Sequence, residues 1–221
     1  MKSSTKKTQS KSPYRSQLRE RQKMQTRELI VRAAGECIST DGKYDFTVQE
    51  VADRAGLSLQ CVYDHFPSRE DLVQGMCEWL YGKNRDLVSS AMMSLAQDVS
   101  GAVRKIFTVC DEDAAVTSAA TAVSLNMNVR PHARRAVDDT CRQALAGYTS
   151  NLSSDEARNA YAVIRYLIGA EAWLILKKQF GLSTEEASNT VSWAIQTLVD
   201  DLKKRNAQQV SDTKHVKDRE K

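Results

Sequence analysis

The sequence predicts an all-α fold, with a three-helix helix-turn-helix unit in front and a larger helical domain behind it. Three observations carry this expectation. Only three prolines and nine glycines interrupt the 221 residues. No segment sustains the period-two alternation of β-branched residues that a half-buried strand needs. Apolar residues instead recur three and four apart, in runs that begin on capping patterns and stop at glycines.

Leu29, Ile30, Ala33, Ala34, Cys37 and Ile38 fall at helical spacing, and Gly42 supplies a stop, so a first helix is expected over 24–40. Thr47 followed by Glu50 is a capping box, in which hydroxyl and carboxylate each satisfy the other's orphan backbone N–H. A short second helix carrying Val48, Val51 and Ala52 starts there and ends at Gly56. Ser58 is a good N-cap for a third short helix that turns Val62 and Phe66 inward and closes at Pro67. Ser68 with Asp71 repeats the capping pattern and starts a fourth helix. Two short helices joined by a Gly-containing turn and braced by longer ones make a helix-turn-helix, assigned to residues 24–80.

Residues 81–204 are expected to form the larger helical domain. Pro131 fits the first turn of one helix, where its missing N–H is harmless. Ser154, Asp155 and Glu156 open another, read as continuous through Trp173 to a stop at Gly181, and Thr184 opens the last. The segment from Ala160 to Leu176 is apolar on more than one side, so it must be buried from more than one direction. One direction can be its own core and the other a partner subunit. Residues 1–23 are too polar to offset their ordering entropy and read as a disordered basic arm; residues 205–221 read as a frayed tail.

The net charge of +4 is unevenly placed: residues 1–27 hold nine Lys/Arg against one acidic residue, leaving the remainder of the chain negative. Five widely spaced cysteines without a C-x-x-C pair suggest free thiols in a reducing compartment. No apolar run approaches the ~18 residues of a membrane span, so a soluble, cytoplasmic protein without membrane association is expected. No metal site is implied, because His65, His132 and His215 lie far apart. No phosphate-cradling glycine loop and no cofactor motif is present.

The stretch "FTVQEVADRAGLSLQCVYDHFPSREDLV" carries a specific resemblance. Thr47, Val51, Ala52, Ala55, Gly56, Ser58, Val62, Tyr63, His65, Phe66, Ser68, Arg69 and Leu72 fall at the offsets of the DNA-binding domain of the tetracycline repressor (TetR) family, and the chain resembles that family over 24–79. The resemblance implies a transcriptional regulator, a ligand-responsive repressor that binds a palindromic operator in double-stranded DNA. It also implies a homodimer formed through the last two long helices and released by a small-molecule inducer. Leu59, Gln60 and Cys61 stand where members vary, and Asp64 stands where an aromatic or basic side chain is more usual.

In such a domain the third helix is the candidate reader of the major groove. Gln60 can engage adenine N6 and N7 in a bidentate manner, or meet only phosphate and water; Leu59 or Cys61 can pack on a thymine methyl. Thr47, Tyr63, His65 and Arg69 would reach phosphates flanking the groove, with His65 equally suited to packing inside the unit, and Ser58 serves as cap as much as contact. The basic arm, with Lys2, Lys6, Lys7, Lys11, Arg15, Arg19, Arg21, Lys23 and Arg27, either follows the DNA backbone or enters an adjacent minor groove, or is a solvated tail.

Candidate lining residues of an effector pocket are Trp79, Met92, Met93, Phe107, Tyr148, Tyr166, Glu171 and Trp173, each of which also suits ordinary core packing. Two other classes compete. A redox-sensing DNA-binding regulator would use a cysteine such as Cys61. An enzyme would pair Cys61 with His65, four residues apart on one helical face, but no residue is placed to orient the imidazole and no catalytic residue is assigned.

Overall fold

The computed structural model describes residues 13–41, 46–127 and 132–219. Eleven helices cover them: α1 (Pro13–Asp41), α2 (Val48–Ala55), α3 (Leu59–His65), α4 (Arg69–Lys83), α5 (Arg85–Ser94), α6 (Val99–Glu112), α7 (Ala114–Met127), α8 (His132–Thr149), α9 (Ser154–Leu167), α10 (Ala170–Lys178) and α11 (Thr184–Arg219). Gly42 and Pro131, expected at a helix end and a helix start, lie outside the described residues, as do Lys2, Lys6, Lys7 and Lys11 of the arm.

The local signals in the front unit fold as their chemistry dictates. Thr47 caps α2 in a reciprocal box with Glu50, whose carboxylate takes the Thr47 N–H at 2.7 Å. Gly56 ends α2 at φ 66°, a left-handed conformation that disfavours a Cβ. Ser58 and Ser68 cap α3 and α4 through Cys61 N–H and Asp71 N–H. Val62 and Phe66 point inward and are buried with Ile30, Val51, Leu72 and Met76.

Three boundaries differ from the sequence expectation. α1 starts at Pro13 rather than near Met24, so the backbone of residues 13–23, assigned to the arm, is helical. The run "LRERQKMQ" consists of good helix formers that continue an already nucleated helix without needing burial. For the same reason α11 runs through Lys204 to Arg219, where a frayed tail was expected. The apolar stretch from Ser154 to Phe180 is two helices, broken at Gly169, the N-cap of α10. A side chain there would collide with the Glu171 carboxylate and the Arg165 guanidinium, which fold over the glycine.

Two cores result. One gathers α1 to α4; the other gathers α5, α6 and α8 to α11. They are joined by α7, whose sequence "AAVTSAATAV" is so rich in small residues that neighbouring helices approach closely on several sides. Val116, Ala119, Ala120 and Val123 of α7 belong to the first core, so the helix-turn-helix unit is completed by a helix from beyond residue 80. Between α6 and α7 the buried carboxylate of Asp113 binds Arg32 of α1 at 2.6 Å and Lys83 of α4 at 2.5 Å. Both cations also flank the Trp79 ring, at 5.2 and 4.9 Å from its centroid.

The α1–α7 approach is closest at Gly35, where a Cβ would lie 2.8 Å from the Val116 Cα. Backbone cannot yield as a side-chain tip can. Gly35→Ala is therefore expected to lower unfolding stability by about 1–3 kcal/mol despite its better helix propensity, measured by urea denaturation.

Candidate nucleic-acid interface

The outward face of α3 is set by its inward one. With Val62 and Phe66 buried, Gln60, Tyr63 and Asp64 are exposed and Cys61 is half-buried. Gln60 does not hang free: its Nε2 donates to Asp64 Oδ1 at 2.9 Å across one turn. The amide is thus oriented before any partner arrives, with its oxygen left as an acceptor. Leu59, expected to reach a thymine methyl, packs against the first core instead, because the turn from Gly56 tucks the start of α3 under α2.

Several expected phosphate contacts are engaged within the protein. The Arg69 Nε donates to the Phe46 carbonyl at 3.1 Å, and its guanidinium lies 4.7 Å from the Phe46 ring centroid. It braces the entry to α2. Thr47 uses its hydroxyl and N–H in the capping box. Arg27, counted with the basic arm, stacks on Phe66 at 4.1 Å and donates to the His65 carbonyl at 3.0 Å, which makes it part of the folded unit. Tyr63 remains exposed beside the reading face.

His65 is half-buried, and its Nδ1 has no hydrogen-bond partner among the described residues. Burial pulls its pKa below the ordinary 6.5, and the nearby Lys23 and Arg27 pull it further, against the smaller opposing effect of Asp64. The cysteines divide sharply. Burial pushes the thiols of Cys77 and Cys110 up to about 12 and that of Cys141 to about 11, and Cys37 is also raised and buried. Cys61 alone among the five is not buried. His65 and Cys61 share α3.

Behind this unit lies a cavity of about 70 Å³. Its walls come from α4 (Leu80, Tyr81), α5 (Val88, Met92), α6 (Ile106, Val109, Cys110) and α8 (Val137), with polar groups from Asn84, Thr117 and Arg165. Of the eight residues predicted to line an effector pocket, Met92 stands in the wall of this cavity, and Trp79 instead borders a groove along α1 with Met24, Arg27 and Glu28. Met93 and Tyr166 are 45% and 53% exposed, on the outward sides of α5 and α9. Trp79 sits against the first core. Phe107 is fully buried packing in the second, and Tyr148 donates its hydroxyl to Ala96. Trp173 is buried and donates Nε1–H to Asp111 at 3.1 Å; Glu171 pairs with Arg134 at 3.6 Å, next to the cavity wall.

Sequence reasoning missed Tyr81, Asn84, Thr117 and Arg165. Arg165 had a signal, a lone cation in "AYAVIRYLIG". Its Nε donates to Asp138 at 2.8 Å, and its side chain is almost wholly buried. Thr117 had none, since a threonine in an Ala-rich helix reads as filler. Among the described residues no helix is long and apolar enough to cross a membrane, and no group of three or more His, Cys, Asp or Glu could hold a metal.

The architecture defines a helix-turn-helix domain fused to an all-helical domain. Residues 30–76 match the sequence model of a family described as bacterial regulatory proteins, tetR family. Over these residues the chain is similar to that family. Over 48 residues it is 40% identical to the HTH-type transcriptional repressor KstR2 of Mycobacterium tuberculosis, found in two strains. That match covers 20% of this chain and 24% of the repressor. Two crystal structures of TetR-family transcriptional regulators share the fold over most of the chain. One, from Streptomyces coelicolor, has a TM-score of 0.56 at 16% identity, covering 84% of this chain and 90% of its own. The other, from Mesorhizobium loti, has a TM-score of 0.53 at 16% identity, covering 81% and 96%.

The depressed His65 has a measurable consequence. The unfolded chain takes up a proton near pH 6.5 while the folded one resists it, so the His65 contribution is present above that pH and is lost as pH falls. Stability should decline more steeply from about pH 7 to about pH 5 in the wild type than in His65→Gln, as read from denaturation midpoints.

Proposed function

We propose that the protein is a transcriptional repressor that binds a palindromic operator as a homodimer and is released by a small-molecule inducer. The observation that carries this reading is α3 itself. The tetR-family match falls on a helix whose apolar side is locked into the core and whose other side presents a pre-oriented Gln60 and an exposed Tyr63. A seven-residue helix of this kind fits the major groove, where an amide can address a base edge.

In this reading Gln60 is the base reader, with Asp64 holding its amide and keeping phosphates at a distance. Tyr63 contacts the backbone. His65, Arg69, Thr47 and Ser58 act mainly by fixing the geometry of the unit, and the arm residues that precede α1 raise affinity through counterion release.

Dimerisation rests on the apolar surface left on the last helices. Trp193 is 73% exposed on α11, Phe180 is 68% exposed at the α10–α11 turn, and Val163 and Tyr166 are exposed on α9. Such a patch on a chain of this size marks an interaction surface. A homodimer through α9 and α11 covers it and sets two α3 helices about 34–36 Å apart, one DNA turn.

The effector acts through the cavity. Cys110 and Thr117 of its wall stand on either side of Asp113, which holds α1 and α4, and α4 itself supplies Leu80 and Tyr81 to the cavity. A ligand favouring a splayed pair of α3 helices lowers operator affinity by its differential affinity for the two states. A second reading, a redox sensor, retains only Cys61 as a candidate; alkylation that leaves DNA binding intact removes it.

Selection of bound fragments from genomic DNA identifies the operator; recovery of no sequence preference sinks the reading. With the operator known, Gln60→Ala should cost about 1–3 kcal/mol at the preferred base and relax discrimination there, measured by fluorescence anisotropy on single-base variants. Trp193→Asp should yield a monomer in sedimentation velocity and lose operator affinity together with dimerisation.

A further inference from the structure

The cavity holds two polar atoms without partners. Thr117 is 1% exposed and its Oγ1 makes no hydrogen bond among the described residues; the same is true of the buried Asn84 Nδ2. Asn84 stands between α4 and α5 as the C-cap of one and the N-cap of the other, yet its side chain makes no capping bond. A buried donor left unsatisfied is costly, and two such groups on one cavity wall suit a ligand that offers an acceptor.

The charges around the cavity narrow the acceptor's chemistry. Arg165 is neutralised by Asp138 at 2.8 Å, and the neighbouring Arg134 by Glu171 at 3.6 Å. Both carboxylates and both guanidinium groups are therefore already paired. A ligand carboxylate or ammonium entering this wall would be an uncompensated buried charge. Apart from the Tyr81 phenol and the Cys110 thiol, the remaining side chains of the lining, Leu80, Val88, Met92, Ile106, Val109 and Ile168 among them, are apolar.

We propose that the cavity binds a neutral, mainly apolar small molecule through one carbonyl oxygen, of the ketone or ester type, which accepts hydrogen bonds from both Asn84 Nδ2 and Thr117 Oγ1. A carbonyl oxygen has two lone pairs, so a single atom satisfies both orphans. At about 70 Å³ the cavity is roughly half the size of an engineered apolar cavity that takes benzene, so it encloses the carbonyl end of a ligand. The flexible Met92 wall accommodates more. The site deepens the inducer reading above and rests on it for its regulatory consequence, though not for binding.

The test uses three probes of equal heavy-atom count, butanone, propionate and butylammonium, titrated into the full-length ¹⁵N-labelled protein. Butanone should shift the Asn84 side-chain amide signal and bind about tenfold or more tightly than either ion, and Thr117→Val should weaken it by about tenfold. Equal or tighter binding of an ion, or no shift at Asn84 with any probe, overturns the proposal and leaves the two orphans to water. Unchanged butanone affinity in a folded Thr117→Val overturns it too. The ranking on the unaltered protein decides the matter even where the variant fails to fold. Operator affinity in the same samples is read separately: butanone bound as expected, with that affinity unmoved, supports the site and removes butanone's role as inducer.

Discussion

The structure hangs on the buried carboxylate of Asp113. It sits at the corner between α6 and α7 and gathers one cation from α1 and one from α4, the two long helices that frame the helix-turn-helix. Arg32 and Lys83 are each partly solvated, so the arrangement does not bury three charges; it buries one and lets two half-exposed partners neutralise it. That asymmetry keeps desolvation modest while fixing three helices at a common point. Trp79 is flanked by the same two cations, which adds a ring face to their attachment.

From that corner α7 runs inward between the two cores. Its small side chains let α1 approach at Gly35 and α4 approach on another side, while Thr117 faces the cavity behind. A displacement of α7 therefore cannot be absorbed locally. It is transmitted to helices that position α3, because close-packed interiors shift between discrete arrangements rather than deforming smoothly.

The local part of this design was legible in the sequence. Thr47 with Glu50, Ser58, Ser68 and the turn at Gly56 are decided by hydrogen bonds and dihedral preferences within a few residues, and each is found where its chemistry places it. What escaped was decided at a distance. Arg69 reads as a phosphate contact and Arg27 as part of the basic arm because their charge is visible in the sequence, while the Phe46 and Phe66 rings that engage them are tertiary neighbours. Met93 and Tyr166 read as pocket residues because helical periodicity reveals that a face is apolar but not what covers it. The break at Gly169 lay hidden for a related reason: a glycine inside an apolar helical run is ambiguous until Arg165 and Glu171 are seen folded over it.

The borrowed helix has a consequence for how such a protein can be taken apart. Residues up to Lys83 contain the four front helices, yet the side of α1 at Gly35 and of α4 at Cys77 would face water without Val116 and Ala120 of α7. A cut after α4 would not release a portable reading head; it would release an incomplete core with a greasy flank. Exchanging rear helical domains between proteins of this design requires a seam that follows the packing, carrying α7 and the Asp113 corner along with the front four helices, even though they are separated in the chain.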